Sequence, residues 1–348
     1  MQLKRLNVKS IWVQKLIMYA GVLVAAWFVL YGPQQRSKYL AAAQGAPGAT
    51  VGAAGSVSIP HPDTDVDFRL RSVASTATGL VAAEQGQGFV RVASYDLKGA
   101  AQDTSAVDLD PQAKVRDVAV DGAGDVAVLT RGSDGESVTL ASPSSRSTQV
   151  LAVSRKLESI ALLKGQVFAR SGSDLIRIAD NAVVATLPTD APRPFTMLTE
   201  NEERILFLSK IAPKLYSVVP ESGTVNEYSL DSPEIRAAIN ASAADPPITP
   251  QGRVLRDLIF AAAVGTDGYI YGLISPFRRE QAEIVKFDEF GSVLGTFHIA
   301  LSQTNSPGNL RRATAWNVVP SLIAVANQRF FLYSRPHNLL VYYELPAN

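Results

Sequence analysis

Close pairs of arginines are the residues of this sequence best suited to chemistry. Arginine stays charged at physiological pH and binds carboxylates or phosphates through two parallel hydrogen bonds. Aromatic residues lie near two of the pairs, and tryptophan and arginine are over-represented at binding hot spots. If the pairs share one rim, they form a candidate surface for an acidic partner or lipid headgroups, whereas ordinary solvated loop charge is the interpretation that the pairs alone favour. The candidate contacts are Arg253, Arg256, Phe277, Arg278, Arg279, Arg311, Arg312 and Trp316.

Groups suited to catalysis are sparse. The histidines do not stand at metal-motif spacing, and the acidic run 61–67 lacks the Gly and Glu that a helix–loop–helix calcium loop requires. The chain contains no GxSxG elbow, phosphate loop, HExxH helix or dinucleotide fingerprint. We predict no metal, no cofactor and no catalytic residue, and we favour a protein that is not an enzyme. The histidines, His61, His298 and His337, are predicted to lie at the surface or at strand ends.

Charge and cysteine content exclude several classes of protein. The 33 basic and 32 acidic residues give a net charge of +1, so no global field attracts nucleic acid. The absence of cysteine excludes disulfides, thiolate zinc sites, iron–sulfur clusters and a cysteine nucleophile. A secreted eukaryotic domain of this size more often contains cysteine, and we therefore predict a bacterial envelope protein.

Residues 16–35 carry no charge and are mostly apolar, which predicts a transmembrane helix. About 20 residues, at a rise of about 1.5 Å each, span a hydrocarbon core about 30 Å thick. Basic residues are more frequent in segment 1–15 than directly after the span, which indicates a cytoplasmic N-terminus and a periplasmic remainder. Aromatic residues near the two ends fit the interfacial belts, and a small-xxx-small pair permits close helix packing. The predicted anchor contacts are Trp12, Tyr19, Gly21, Ala25, Trp27 and Tyr31.

A cleaved signal peptide is the alternative to this anchor. The small residues 41–43 resemble a cleavage site, but they lie well beyond the apolar run, behind Pro33 and a charged pair. We therefore favour a retained anchor. Segment 41–58 consists mainly of Ala, Gly, Ser and Val without charge, and residues 36–66 are predicted to form a flexible tether.

A repeat of about 40 residues begins after the tether. Its clearest unit, 115–153, contains four short strands separated by turn residues, as in one blade of a β-propeller. An outermost strand is missing from the last unit, and we predict that 67–71 supplies it and closes the ring. A pair of β-sandwiches is the alternative architecture. The predicted units are 67–110, 115–153, 157–187, 194–230, 257–300 and 314–345.

Three segments carry a family resemblance. The sequences VAVDGAGDVAV at 118–128 and VGTDGYIY at 264–271 resemble the strand–turn–strand of six-bladed propellers of the NHL-repeat type. The sequence IVKFDEFGSVL at 284–294 is similar to the hairpin that follows in that family. Tyr269 and Asp125 stand at the usual Asn position, and a loop at 275–280 is enlarged. The resemblance implies the fold of this chain. It does not imply an activity, because such propellers serve both as binding platforms and as enzymes.

The predicted protein is thus an all-β, six-bladed β-propeller at 67–348, preceded by a single transmembrane α-helix. Segment 231–256 interrupts the repeats, with helix-start residues at 232–234 and a stiff proline-rich stretch at 246–250, and is predicted to cover a face or touch a partner. We predict a non-catalytic scaffold or accessory subunit of an inner-membrane complex. Its predicted partners are other membrane subunits and the lipid bilayer. The alternative is a hydrolase or lyase with a site in the central channel.

Overall fold

The structure is a computed structural model that describes most of the chain beyond residue 49. It covers residues 50–51, 53–58, 69–98, 100–133, 135–142, 145–200, 203–230, 233, 235–236, 259–279, 281–300, 322–334 and 339–345. No helix within these ranges is long and apolar enough to cross a membrane. The predicted span 16–35 and all the predicted anchor contacts lie outside them.

Short strands make up almost all of this part of the chain. In order they are β1 (Thr50–Val51), β2 (Ala53–Ser58), β3 (Arg69–Thr76), β4 (Gly79–Gln85), β5 (Phe89–Asp96), β6 (Ala101–Asp108), β7 (Lys114–Val120), β8 (Val126–Gly132), β9 (Gly135–Ser142), β10 (Ser147–Val153), β11 (Ser159–Leu163), β12 (Gln166–Ser171), β13 (Asp174–Arg177), β14 (Ala182–Thr186), β15 (Phe195–Glu200), β16 (Arg204–Ser209), β17 (Lys214–Val219), β18 (Thr224–Ser229), β19 (Ile259–Val264), β20 (Ile270–Arg279), β21 (Gln281–Phe287), β22 (Val293–Ala300), β23 (Leu322–Ala326), β24 (Arg329–Ser334) and β25 (Leu339–Glu344).

The strands form six sheets, each the blade of a propeller. Blades 1 to 4 are β3–β6, β7–β10, β11–β14 and β15–β18; blade 5 is β19–β22 with β1, and blade 6 is β23–β25 with β2. The innermost strands β3, β7, β11, β15, β19 and β23 lie next to one another in a closed ring. The prediction of an all-β, six-bladed propeller is confirmed, and each predicted unit overlaps one blade, although β1 and β2 come from outside the predicted units.

Apolar residues on both faces of each blade explain the ring. In β8, Val126 to Thr130 are buried without interruption, so the strand faces a neighbour on each side. Val126 and Val128 pack towards blade 1, whereas Ala127 and Leu129 pack towards blade 3. Six such apolar clusters separate the six pairs of neighbouring blades, including blades 6 and 1. A lone four-stranded sheet buries one face at most, and radial stacking buries both.

The ring closes through a segment that we predicted to be part of the tether. Strand β2 pairs antiparallel with β25 as the outermost strand of blade 6, and β1 pairs parallel with the end of β22. The prediction that 67–71 closes the ring is wrong, because Arg69–Thr76 is the innermost strand of blade 1. Small residues gave β2 the composition of a linker. The missing side chain of Gly55 has a packing role, because the ring of Tyr342 occupies the space where a Cβ would stand.

The two interruptions of the repeat differ from simple loops. Residues 233, 235 and 236 are helical, and Ile235 is buried beside Leu230 and Ile259. The rest of segment 231–256 lies outside the described residues. Strand β20 continues through most of the predicted loop at 275–280, with its pairing to β21 interrupted between Ile274 and Arg279.

Candidate functional site

Alternating strand directions give the propeller two faces. All six innermost strands begin at one face, which we call the start face, and end at the opposite face. Connections between consecutive blades join an outermost strand to the next innermost strand at the start face. The turns between the second and third strands of each blade lie there too.

The predicted partner contacts belong to segments whose flanking strands meet at this start face. Arg278 and Arg279 end β20, while Phe277 lies just before them in the same strand. Segment 231–258, with the pair at 253 and 256, connects β18 to β19; segment 301–321, with the pair at 311–312 and the tryptophan at 316, connects β22 to β23. The side chains of all eight predicted contacts lie outside the described part. The topology therefore brings the ends of these segments to one face, over blades 4 to 6.

Two further arginines, which sequence reasoning missed, stand on bulges at the start face. The pairing of β3 with β4 shifts between Leu70 and Ser72, and the pairing of β7 with β8 shifts between Val115 and Asp117. Arg71 and Arg116 are thus the extra residues of two β-bulges, devices that re-aim a side chain and are frequent near functional sites.

The bulge at Arg116 places its side chain outside both packed faces of blade 2. Val115 packs towards blade 1, and Asp117 accepts a hydrogen bond from the backbone N–H of Ile160 in blade 3. The residue between them belongs to neither face, and Arg116 is exposed. The bulge at Arg71 is equivalent, since Leu70 packs towards blade 6 whereas Ser72 pairs with Ala83, which packs towards blade 2.

Polar contacts join the innermost strands of three consecutive blades at these bulges. The Arg71 guanidinium donates to the backbone carbonyl of Arg116 across 2.8 Å. The Asp117 carboxylate accepts the N–H of Ile160 at 2.9 Å and the N–H of Val118 at 3.0 Å. Burial raises the pKa of Asp117 above its usual value, and these two N–H groups and the charge of Arg71 oppose that rise. Each Asp117 oxygen therefore holds a backbone donor, and the carboxylate ties blade 2 to blade 3.

A second basic cluster lies between blades 3 and 4. Arg170 is 5% exposed, forms an ion pair with Glu158 at 2.5 Å and stacks over Phe195. Burial lowers the pKa of the Arg170 guanidinium, Glu158 opposes this, and Arg193 adds to the lowering. Its Nε atom is buried without a partner in the described part of the chain. Glu158 is thus engaged by Arg170, while Arg193 leaves the cluster with an excess of positive charge.

A groove of about 480 Å³ lies at the start face between blades 1 and 2. Hydroxyl groups from Thr130, Ser137, Thr139 and Thr148 line its floor, and carboxylates border it. These groups are hydrogen-bond donors and acceptors for a polar ligand. Within the described ranges, no cluster of three or more His, Asp or Glu side chains could hold a metal ion.

On the opposite face, the Lys286 ammonium lies in a cage of acidic and aromatic side chains. The ammonium lies 3.0 Å from an Asp267 oxygen and 4.2 Å from the ring centroid of Tyr269. The Tyr271 hydroxyl donates to the same Asp267 oxygen at 2.7 Å. Tyr269 thus packs its ring on a buried cation. Only 6% of Lys286 is exposed, so the cage is structural.

The sequence did contain a signal for the bulged arginines. The segments RLRSVA at 69–74 and KVRDVA at 114–119 align without a gap, so that Arg71 and Arg116 stand at the same repeat position. Comparing repeat positions for charged residues would have found both. The orientation of the two side chains could be found only from the strand pairing. Regular alternation of side chains along a strand would have placed each arginine on a packed face of its blade.

Comparisons with known proteins give similarity to solved structures alone. Neither protein-family models nor curated proteins give a match. Among solved structures, U3-55K matches with a TM-score of 0.50 and 9% identity, covering 85% of this chain and 100% of that chain. Virginiamycin B lyase from Staphylococcus aureus matches with a TM-score of 0.45 and 11% identity, covering 84% and 98%. A protein of unknown function from Bacteroides thetaiotaomicron matches with a TM-score of 0.46 and 12% identity, covering 85% and 75%. At such identities the similarity is one of fold alone.

Proposed function

We propose that this chain is a membrane-anchored, extracytoplasmic propeller of the NHL-repeat type that acts as a non-catalytic scaffold or accessory subunit of an inner-membrane complex. The carrying observation is that the strands flanking all three arginine-bearing segments meet at the start face. A shared face lets separate arginine pairs bind one acidic partner surface, and such multiple charge contacts give both steering and specificity. The proposed partners are other subunits of the complex and the bilayer. Nucleic acid is not a proposed partner.

The position of the first strand supports a role close to the bilayer. Strand β1 begins at Thr50, so the tether after the proposed span is much shorter than segment 36–66. Fully extended, residues 35–50 reach at most about 50 Å. In this proposal the propeller stays within about 50 Å of the end of the span, where subunits of a membrane complex are accessible.

Co-purification tests the proposal. The full chain, isolated from membranes in a mild detergent, is expected to retain the same membrane subunits in repeated preparations. The variant R278E/R279E reverses two charges at the start face and should lose most of these subunits. The control K98E/K164E reverses two exposed lysines in turns of the opposite face and should retain them. An isolated monomer in every preparation, or equal retention by both variants, would contradict the scaffold.

A hydrolase or lyase is the second candidate, because a carboxyl group with a raised pKa lies beside an arginine on the innermost strands. Asp117 would act as the acid or base and Arg71 would stabilise negative charge. It ranks second because both Asp117 oxygens already bind backbone N–H groups. Turnover of a lactone or ester by the purified chain, abolished in Asp117→Asn, would favour this enzyme over the scaffold.

A further inference from the structure

The bulged arginines differ from ordinary surface charges in how they are held. Arg71 is fixed by its 2.8 Å hydrogen bond to the carbonyl of Arg116, which belongs to the next blade. The backbone of Arg116 is itself held between two packed neighbours, Val115 and Asp117. The sheet, rather than a loop, therefore places the Arg71 guanidinium beside the backbone of Arg116. Because the Arg71 side chain is already held, its part of a binding site loses little conformational entropy when a ligand binds.

The Arg116 guanidinium has no partner in the described ranges, although one acidic residue follows it in the chain and another stands at the start of the next blade. Asp117 is occupied by the N–H groups of Val118 and Ile160. Glu158, at the start of the next blade, is paired with Arg170. Neither of these two carboxylates pairs with Arg116, so the positive charge of Arg116 remains available for a ligand.

Further cations stand at the same edge of the ring. Lys114 is the first residue of β7, and Lys156 precedes β11 by three residues. Both are exposed, and neither takes part in an ion pair with any residue that the structure describes. They add positive potential at the start face without fixed geometry, which favours attraction of an anion from solution.

We propose that Arg71 and Arg116 form an oxyanion-binding site at the start face, which receives carboxylate groups of an acidic segment of the partner. This inference rests on the proposed scaffold function and names the charge and the chemical class of what the scaffold binds. Guanidinium groups match carboxylate geometry, and charge-assisted hydrogen bonds are the stronger ones in proteins. Lys114 and Lys156 flank the site and steer the acidic segment towards it.

Binding of a fluorescent hexaglutamate peptide to the purified full chain, in neutral detergent and low salt, tests the site by anisotropy. Arg116→Gln is expected to weaken binding about tenfold, because one charge-assisted hydrogen-bonding group is lost. This variant keeps the backbone carbonyl that accepts from Arg71, so the fold is expected to remain intact, and an unchanged melting temperature checks it. The double variant R71Q/R116Q should weaken binding further.

The matched control is R146Q/K164Q, which removes two charges from exposed turn residues of the opposite face. It should bind the peptide as the unmodified chain does. Equal affinity of R116Q and the unmodified chain, or equal losses in R116Q and the control, would overturn the site.

Competition by inorganic phosphate distinguishes the ligand source: displacement of the peptide by equimolar phosphate indicates a free oxyanion, and its failure indicates an acidic chain. The test uses no partner subunit, so its failure leaves the co-purification result standing, and the reverse also holds.

Discussion

Glu84 carries a buried charge where blades 6 and 1 meet. It follows Leu80 and Ala82 on the face of β4 that packs against blade 6, and it is completely buried. The Arg91 Nε donates to one of its oxygens at 2.6 Å, and the Tyr95 hydroxyl donates to the other. Burial raises the pKa of Tyr95, so this phenol stays protonated and acts as a donor. All charged partners of Glu84 in the described part of the chain come from its own blade.

Burial also raises the pKa of Glu84, and the hydrogen bond from Tyr95 and the charge of Arg91 oppose the rise. A carboxyl whose pKa is higher in the folded state holds its proton more tightly there. Its contribution to stability is fully present below the pKa of the unfolded chain, about 4.3, and is lost as the pH rises through the folded pKa. Glu84 thus favours folding in acid more than at neutral pH.

Glu84→Gln should show this linkage directly. The variant cannot titrate, so the free energy of unfolding of the unmodified chain minus that of the variant should be larger at pH 4 than at pH 7. The variant should also be less stable at neutral pH, by about 1–3 kcal/mol, because Arg91 loses its carboxylate. Urea unfolding at the two pH values measures both quantities. Glu227→Gln, in an exposed pair with Lys214, is the control and should change stability by under about 1 kcal/mol at either pH. A difference that grows with pH would contradict the assignment.

At the scale of elements, ring closure depends on whether β2 is a true edge strand. In an antiparallel pair, successive N–H groups point alternately to the partner strand and away from it. Of the consecutive residues Ser56 and Val57, which pair with Val341 and Leu340, only one donates to β25. Proline lacks this N–H and is tolerated only where it points outwards.

Ser56→Pro and Val57→Pro should therefore have unequal effects, and each serves as the control for the other. The variant that removes the inward N–H should lose about 2 kcal/mol of stability, whereas the other should remain near the unmodified chain. Thermal melts of the full chain measure the difference. Two melting temperatures equal to that of the unmodified chain would show that blade 6 closes without β2.

The positions of the blades along the chain were predictable because the turn residues that mark them act within a few residues of one another. Gly124, Gly268 and Gly291 adopt positive φ values of 89°, 79° and 78°, at the three turns that the sequence marked with Asp and Gly. Asp121 and Asp288 accept backbone N–H groups within their own turns, which fixes these hairpins without any distant contact.

Closure was not predictable from the same signals, because the β2–β25 pair joins residues nearly 300 positions apart. The small residues of β2 indicated flexibility, and only contact with Tyr342 gives Gly55 its packing role. The bulges at Arg71 and Arg116 were missed for a related reason. A bulge is defined by the pairing of two strands, and hydrophobic alternation along one strand does not reveal it.

For the whole molecule, the proposed function depends on the propeller being on the far side of the membrane from the N-terminus. The excess of basic residues before the apolar span predicts this orientation. The chain contains no cysteine, so a single introduced thiol reports unambiguously on its own location. Ala123, exposed in the turn between β7 and β8, and Ser10, in the proposed cytoplasmic segment, are suitable positions.

A membrane-impermeant maleimide added to intact spheroplasts should label Ala123→Cys, because the turn faces the periplasm in the proposed topology. Ser10→Cys should react only after the membrane is permeabilised, and it serves as the matched control for membrane integrity. Both labelled chains should remain in the membrane fraction with the full-length mass. Labelling of Ser10→Cys in intact spheroplasts, or protection of Ala123→Cys there, would contradict the proposed topology. Recovery of Ala123→Cys in the aqueous fraction with a mass lacking the first 43 residues would instead show a cleaved signal, and a diffusible propeller would then replace the anchored scaffold.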